Sequence, residues 1–335
     1  MRIPIAAAAV TLAVWSAALP AAVPVIFDAD MGNDVDDALA LAMLHTLTDR
    51  GECELIGVTL TNAAPEAVPY IRMFNRFYGR ESLPVGVASK SLPKGAQDGF
   101  LSATLQSAPA IWKKKSDGKA EPAVQVLRKL LASSREKVRI VQVGFSTNLD
   151  ALLDSRPDAI SPLDGVALVR EKVELLSAMA GNFVEDKPEY NIFIDAPAAR
   201  RLLERWPAPI VFSGFEIGLN LKYPARGIDQ HFRYAPWHPA AESYKNYKKM
   251  PYDRPTWDLT SVLYAVRPDQ GYFDVSESGQ ARVNEKNLTP FQAKAEGLHQ
   301  YLKNDAEQRA RVLEALMLLS SEPPRASKQN TKVAR

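Results

Sequence analysis

The stretch Val23-Pro24-Val25-Ile26-Phe27-Asp28-Ala29-Asp30-Met31-Gly32-Asn33-Asp34-Val35-Asp36-Asp37 passes from an apolar run into five carboxylates within ten residues. The β-branched and aromatic run from Val23 to Phe27 has no polar alternation, which predicts a strand buried on both faces. After Asp37, Leu39, Leu41, Ala42, Met43 and Leu44 predict a helix over 38–47 that stops near Gly51. The acids therefore stand at a strand's carboxyl end, where ligands bind in open α/β sheets. Helix capping by Asp34, Asp36 or Asp37 accounts for one or two of them. Five at close range repel one another, and either some pKa values rise or a cation is bound. Carboxylates with backbone carbonyls suit hard Ca²⁺, although the spacing is not that of an EF-hand.

Outward from this segment, short apolar runs alternate with amphipathic stretches. Strands are expected over 55–61, 83–88, 138–143, 173–180 and 209–212. Helices are expected over 66–78, 123–132 and 197–205, the last capped by Asp195, and another opens at Asp258. Residues 89–120 read as a long irregular loop of the kind that serves as a lid. The alternation predicts an α/β protein with an open, mainly parallel, Rossmann-like sheet, helices on both faces and one domain over 23–320. Residues 321–335 carry four basic and no acidic side chains from Pro323 onward and are expected to be a disordered basic tail.

The chain has 335 residues, 46% of them hydrophobic, enough for a large core. Its net charge of +2, from 41 basic and 39 acidic residues, gives no electrostatic footprint for nucleic acid. Residues 1–22 combine Arg2, an apolar run and small residues at Ala17, Ala18, Ala21 and Ala22. That is the pattern of a cleaved signal peptide, so a periplasmic or secreted location is expected without stable membrane insertion. Cys53 is the single cysteine and excludes an intrachain disulfide; a buried structural thiol is expected. Of the four histidines, His45 reads as structural. His231 and His238 fall among Phe232, Tyr234, Trp237, Tyr244 and Tyr247, a stretch expected to form surface loop, with pocket lining as the alternative. No zinc signature or nucleophile elbow is present.

The acidic segment resembles the inosine-uridine-preferring nucleoside hydrolase family, whose motif runs Asp-x-Asp-Pro-Gly-x-Asp-Asp. Asp28, Asp30, Gly32, Asp36 and Asp37 match it. Further along, Asn62 after Thr59-Leu60-Thr61 is similar to a family Asn. Gly144-Phe145-Ser146-Thr147-Asn148 resembles Gly-Pro-Leu-Thr-Asn. Met179-Ala180-Gly181-Asn182 and Glu189-Tyr190-Asn191 resemble Met-Gly-Gly and Glu-Phe-Asn, and Trp257-Asp258 falls where His-Asp is usual. The resemblance implies Ca²⁺ held by Asp30, both Asp37 oxygens, the Thr147 carbonyl and Asp258. It implies catalysis by Asp30 as base with Asn62 orienting water and sugar. Asp36, Asn182, Glu189 and Asn191 would grip the ribose, and Asp28 would support from behind. A dimer or tetramer is implied in the same way.

Cleaving a ribosyl C–N bond builds positive charge on the sugar, so negative groups and a ready nucleophile belong beneath it. A metal acidifies and orients water, and a nearby carboxylate takes its proton. With no Gly-rich phosphate loop before a helix, ribonucleosides rather than nucleotides are the expected substrate. Three departures stand out. Met31 replaces Pro. Asn33, Asp34 and Val35 give two residues more than the motif between Gly32 and Asp36, and Asp34 is expected to face solvent rather than the ion. Trp257 replaces a His that helps the base leave, and an indole donates no acidic proton; Trp257 is expected either to stack on a base or to be core. A calcium-dependent nucleoside- or sugar-binding protein without turnover, or a hydrolase of another ribosyl compound, are the alternatives.

Overall fold

The computed structural model describes residues 22–90, 92, 97–113 and 118–325. The signal-peptide expectation lies outside the described residues except at Ala22. The tail expectation also lies outside them except at 321–325, where Ser321 closes the last helix, Ala306–Ser321.

The parallel strands in chain order are β1 (Val23–Ala29), β2 (Cys53–Leu60), β3 (Val85–Val87), β4 (Glu121–Pro122), β5 (Val138–Gln142), β6 (Val173–Met179) and β7 (Ile210–Ser213). They lie side by side as β4-β3-β2-β1-β5-β6-β7, followed by the strand His299–Lys303 parallel to β7. Gly279–Ala281, Phe291–Ala293 and Asp274–Val275 complete that edge with antiparallel pairings. The chain moves outward from β1 to β4, then crosses back to β5 on the other flank of β1. The loops leaving β1 and β5 diverge there, and a crevice opens at the carboxyl ends of the two strands.

Side chains alternate between the two faces of β1 as the pleat requires, and both faces are buried. Val25, Phe27 and Ala29 pack into one core with the helices Asp36–Asp49, Ala67–Phe77, Asp258–Val266 and Ala306–Ser321. Ile26 points into the other, with Ala123–Ser133, Thr147–Leu153, Gly165–Lys172 and Ala196–Arg205. The Asp36–Asp49 helix is buried around nearly its whole circumference, which is why its sequence shows no single apolar face. Leu39, Leu41 and Leu44 are fully buried, and each contributes roughly 1.5–3 kcal/mol.

The 89–120 stretch is not irregular throughout. Leu101–Ser107 is a helix and Ala110–Trp112 a single 3₁₀ turn. Too short to carry a clear period, the helix is fixed by tertiary packing: Phe100 sits edge-on to Tyr70, ring centroids 5.6 Å apart. A two-stranded ribbon, Lys222–Tyr223 against Arg254–Pro255, sets the approach to the Asp258–Val266 helix. No helix among the described residues is long and apolar enough to cross a membrane.

Candidate active site

Asp28, next to last in β1, is completely buried. Its Oδ1 accepts from Thr59 Oγ1 at 2.6 Å and Asn148 Nδ2 at 2.8 Å. Burial pushes its carboxyl up to about 7. It braces β1 against β2 and the Thr147–Leu153 helix. Two glycines let the backbone close around this point. Gly32 has φ +115°, and a Cβ there would meet the Gln97 carbonyl at 2.6 Å. At Gly144 a Cβ would lie 2.5 Å from Thr61 Oγ1 and 2.7 Å from Asp30 N.

Beyond β1, Asp30, Asp36 and Asp37 share one cleft of about 360 Å³ with Asp258, which comes from the far end of the sequence. The junction is direct. Asp36 Oδ2 accepts from the backbone N–H of Trp257 at 2.7 Å and of Asp258 at 3.1 Å. Burial lifts the carboxyls of Asp30, Asp37 and Asp258 well above the ordinary range, and their neighbours' negative charge adds to it; Asp36 is raised to about 7 by burial and then by Asp34. Asp37 Oδ1 is buried with no hydrogen-bond partner. An oxygen-rich, mutually repelling and partly unsatisfied set fits a hard divalent cation. Among the described residues, however, no three or more His, Cys, Asp or Glu side chains form a ready metal-ligating group.

Glu189 and Asn191 also line the cleft. Glu189 caps the helix Tyr190–Ile194, accepting from Asn191 N at 2.8 Å and Ile192 N at 3.0 Å; burial raises its carboxyl to about 7. Asn191 Nδ2 donates to the carbonyls of Val143 at 2.9 Å and Met179 at 3.0 Å, joining the ends of β5 and β6. Three expected residues, Asn62, Thr147 and Asn182, are not among those that line the cleft. Asn62, fully buried, donates to the Met31 and Gln97 carbonyls, both at 2.7 Å, and so holds the loop that carries Asp30. Thr147 donates to Asp195 Oδ2 at 2.6 Å. Asn182 Oδ1 accepts from Val184 and Glu185 N–H at 3.2 and 2.9 Å. Trp257 is on the cleft wall, stacked on Phe215 with centroids 5.6 Å apart, and its indole N–H donates to the Phe215 carbonyl at 2.9 Å.

Two expectations change. Asp34 does not simply face solvent: Arg254, delivered by the ribbon, pairs with it, Nε lying 3.0 Å from Oδ1. A partner 220 positions away leaves no local signal in sequence. His238 is buried rather than on a surface loop. Its Nδ1 accepts from Ala240 N at 3.2 Å, and its Nε2 is 3.0 Å from Tyr78 Oη. Neither histidine of that stretch lines the cleft. Asn33, Gln97, Tyr190, Phe215 and Arg254 line it too, none of them carrying a role that the sequence assigns. Tyr190 stands between the two motif residues Glu189 and Asn191, a sequence signal that points to the cleft. Cys53 is buried, which pushes its thiol up to about 12, and His45 is a stacked core group, both as expected.

The family model described as inosine-uridine preferring nucleoside hydrolase matches residues 25–317. The chain belongs to that family. It is 29% identical over 205 residues to the pyrimidine-specific ribonucleoside hydrolase of Enterobacter sp. (strain 638), a match covering 58% of this chain and 61% of the relative. The chain thus spans less than two thirds of the length of that curated relative. Among solved structures, the inosine-uridine preferring nucleoside hydrolase from Bacillus anthracis superposes with a TM-score of 0.66 at 18% identity, covering 89% of this chain and 99% of that one. The purine-preferring ribonucleoside hydrolase from Gardnerella vaginalis gives 0.68 at 20%, covering 89% and 98%. These likenesses establish the shared fold.

Proposed function

We propose that the protein hydrolyses the N-glycosidic bond of ribonucleosides, releasing free base and ribose, with Ca²⁺ as its cofactor. The observation that carries this reading is the meeting of Asp30, Asp36 and Asp37 with Asp258 in one cleft at the switch point of the sheet. Family membership and the relatives named above support it.

Asp30, Asp37 and Asp258 are the side chains that would hold the cation, with the Thr147 carbonyl as a further oxygen. When bound, Ca²⁺ supplies a water of lowered pKa beside the sugar. Asp30 takes the proton from the attacking water. The negative cleft wall stabilises the positive charge that grows on the ribose as the C–N bond lengthens. Glu189, Asn191 and Asp36 orient the ribose hydroxyls, and Asn62 keeps the Asp30 loop in place. Trp257 offers a ring face to the base but no proton, since an indole N–H is not an acid and here donates to the Phe215 carbonyl; the departing base, which keeps the bonding electron pair, takes its proton from solvent. Attack without a separate nucleophile inverts the anomeric carbon.

A panel of purine and pyrimidine ribonucleosides, assayed for free base and reducing sugar, tests the proposal. Wild type should release both, while Asp30→Ala and Asp37→Ala should fold normally and release neither. Tight nucleoside binding without release would instead establish the binding-protein reading. The amino-terminal segment supports export, checked by fractionation and amino-terminal sequencing of the mature chain. A homo-oligomer is part of the same proposal and is checked by light scattering.

A further inference from the structure

Two of this chain's departures from the family pattern meet at the mouth of the cleft. Asn33 belongs to the longer loop between Gly32 and Asp36, and Tyr190 puts a hydroxyl where the Glu-Phe-Asn pattern has a plain phenyl ring. Asn33 Nδ2 donates to Asp30 Oδ2 at 2.9 Å and to the Asp30 carbonyl at 3.2 Å. Tyr190 Oη reaches Asn33 Oδ1 at 3.5 Å, the outer limit of hydrogen bonding, and is itself approached by Gln97 Nε2 at 3.4 Å. The result is a line of polar groups running from the cleft mouth to Asp30.

We propose that Asn33 is a positioning residue that fixes the Asp30 carboxylate through Oδ2, and that the Tyr190 hydroxyl steadies the Asn33 amide from the far side. An amide that accepts at its oxygen becomes a better donor at its nitrogen. With Oδ2 held, Oδ1 is the oxygen presented to water. A carboxylate free to rotate would spend less time in the reactive orientation, a loss felt in turnover more than in binding. The amide orientation is set by this network: its nitrogen faces an acceptor-only carboxylate and its oxygen faces a hydroxyl. The phenol keeps its proton at neutral pH, since burial and the charge of Asp30 both raise its pKa. This inference rests on the hydrolase reading above.

The test is a double-mutant cycle on purified, folded protein with a nucleoside that wild type cleaves. Asn33→Ala should lower kcat about tenfold and leave KM within about twofold, as loss of one hydrogen bond to a charged group would give. The near-isosteric Asn33→Asp should fall further than Asn33→Ala, because it sets a second carboxylate against Asp30. Tyr190→Phe should lower kcat several-fold in wild type and have little effect in Asn33→Ala. Asn33→Asp with wild-type turnover, or Tyr190→Phe acting fully without Asn33, would overturn the inference. If wild type shows no turnover, the hydrolase reading fails separately. Ca²⁺ titration calorimetry then decides the positioning role: Asn33→Ala should weaken Ca²⁺ several-fold, and unchanged affinity or no binding by wild type would overturn it.

Discussion

Asp36 accepts hydrogen bonds at one carboxylate oxygen from the backbone N–H of Trp257, at 2.7 Å, and of its neighbour Asp258. One end of the chain thereby places the other: the acid that opens the first helix determines where Asp258 enters the cleft.

Removing that acceptor should release both. Asp36→Ala strands two N–H groups, one of them at a buried residue, and should cost about 1–3 kcal/mol of stability. Catalytic efficiency should fall by more than about a hundredfold, beyond the roughly 1.5–3 kcal/mol expected from losing a charged hydrogen bond to the sugar alone. Urea denaturation with kcat/KM checks this. A variant as stable and active as wild type would show that the two segments dock without Asp36.

Gly144→Ala should damage the site before the fold. The added methyl meets Thr61 Oγ1 and the backbone between Ala29 and Asp30. Overpacking of this kind costs roughly 1–3 kcal/mol, and here the strain falls on the peptide that carries Asp30. The melting temperature should drop modestly and activity strongly; a variant with unchanged turnover would contradict the close approach.

Burial and mutual repulsion raise the carboxyls of Asp30, Asp37 and Asp258, and Asp36 reaches about 7. An acid with a raised folded-state pKa keeps its proton longer when folded than when unfolded. Asp36 therefore costs the ion-free protein stability as pH rises from about 4 through about 7, and Asp30, Asp37 and Asp258 act in the same direction. Ca²⁺ binds the ionised form. Saturating Ca²⁺ should then raise the melting temperature more at pH 8 than at pH 6, by calorimetry. An equal shift at both would place the ion elsewhere.

His45 contributes with the opposite slope. It is buried, with Nε2 3.0 Å from Asn75 Oδ1 and its ring 4.4 Å from that of Tyr78; burial lowers its pKa to about 3. The unfolded chain protonates near 6.5 and the folded one does not. Its share of stability is present at neutral pH and lost as pH falls through that window, by about 1.4 kcal/mol per unit. His45→Gln should flatten the acid side of the urea-midpoint profile between pH 7 and 5, and an unchanged slope would contradict it.

Most of the sheet was legible because its strands are buried and short: the expected 138–143 and 173–180 became Val138–Gln142 and Val173–Met179. The same density of apolar residues identified the Asp36–Asp49 helix. Short elements such as Phe215–Leu219 and Ala225–His231 escaped, since their burial comes from tertiary contacts rather than from a local period. At the site, Asp30, Asp36, Asp37, Glu189, Asn191, Trp257 and Asp258 could be named because each belongs to a motif. Arg254 could not: its meaning lies in Asp34, 220 positions away. Nor does sequence show that Asn62 would be spent on two carbonyls.

The most direct measurement is base release from a cleaved ribonucleoside by protein stripped with a chelator, before and after Ca²⁺ is returned. Negligible release that recovers on adding Ca²⁺, and fails to recover in Asp258→Ala, is the expected result. Undiminished release by the stripped protein would contradict the account.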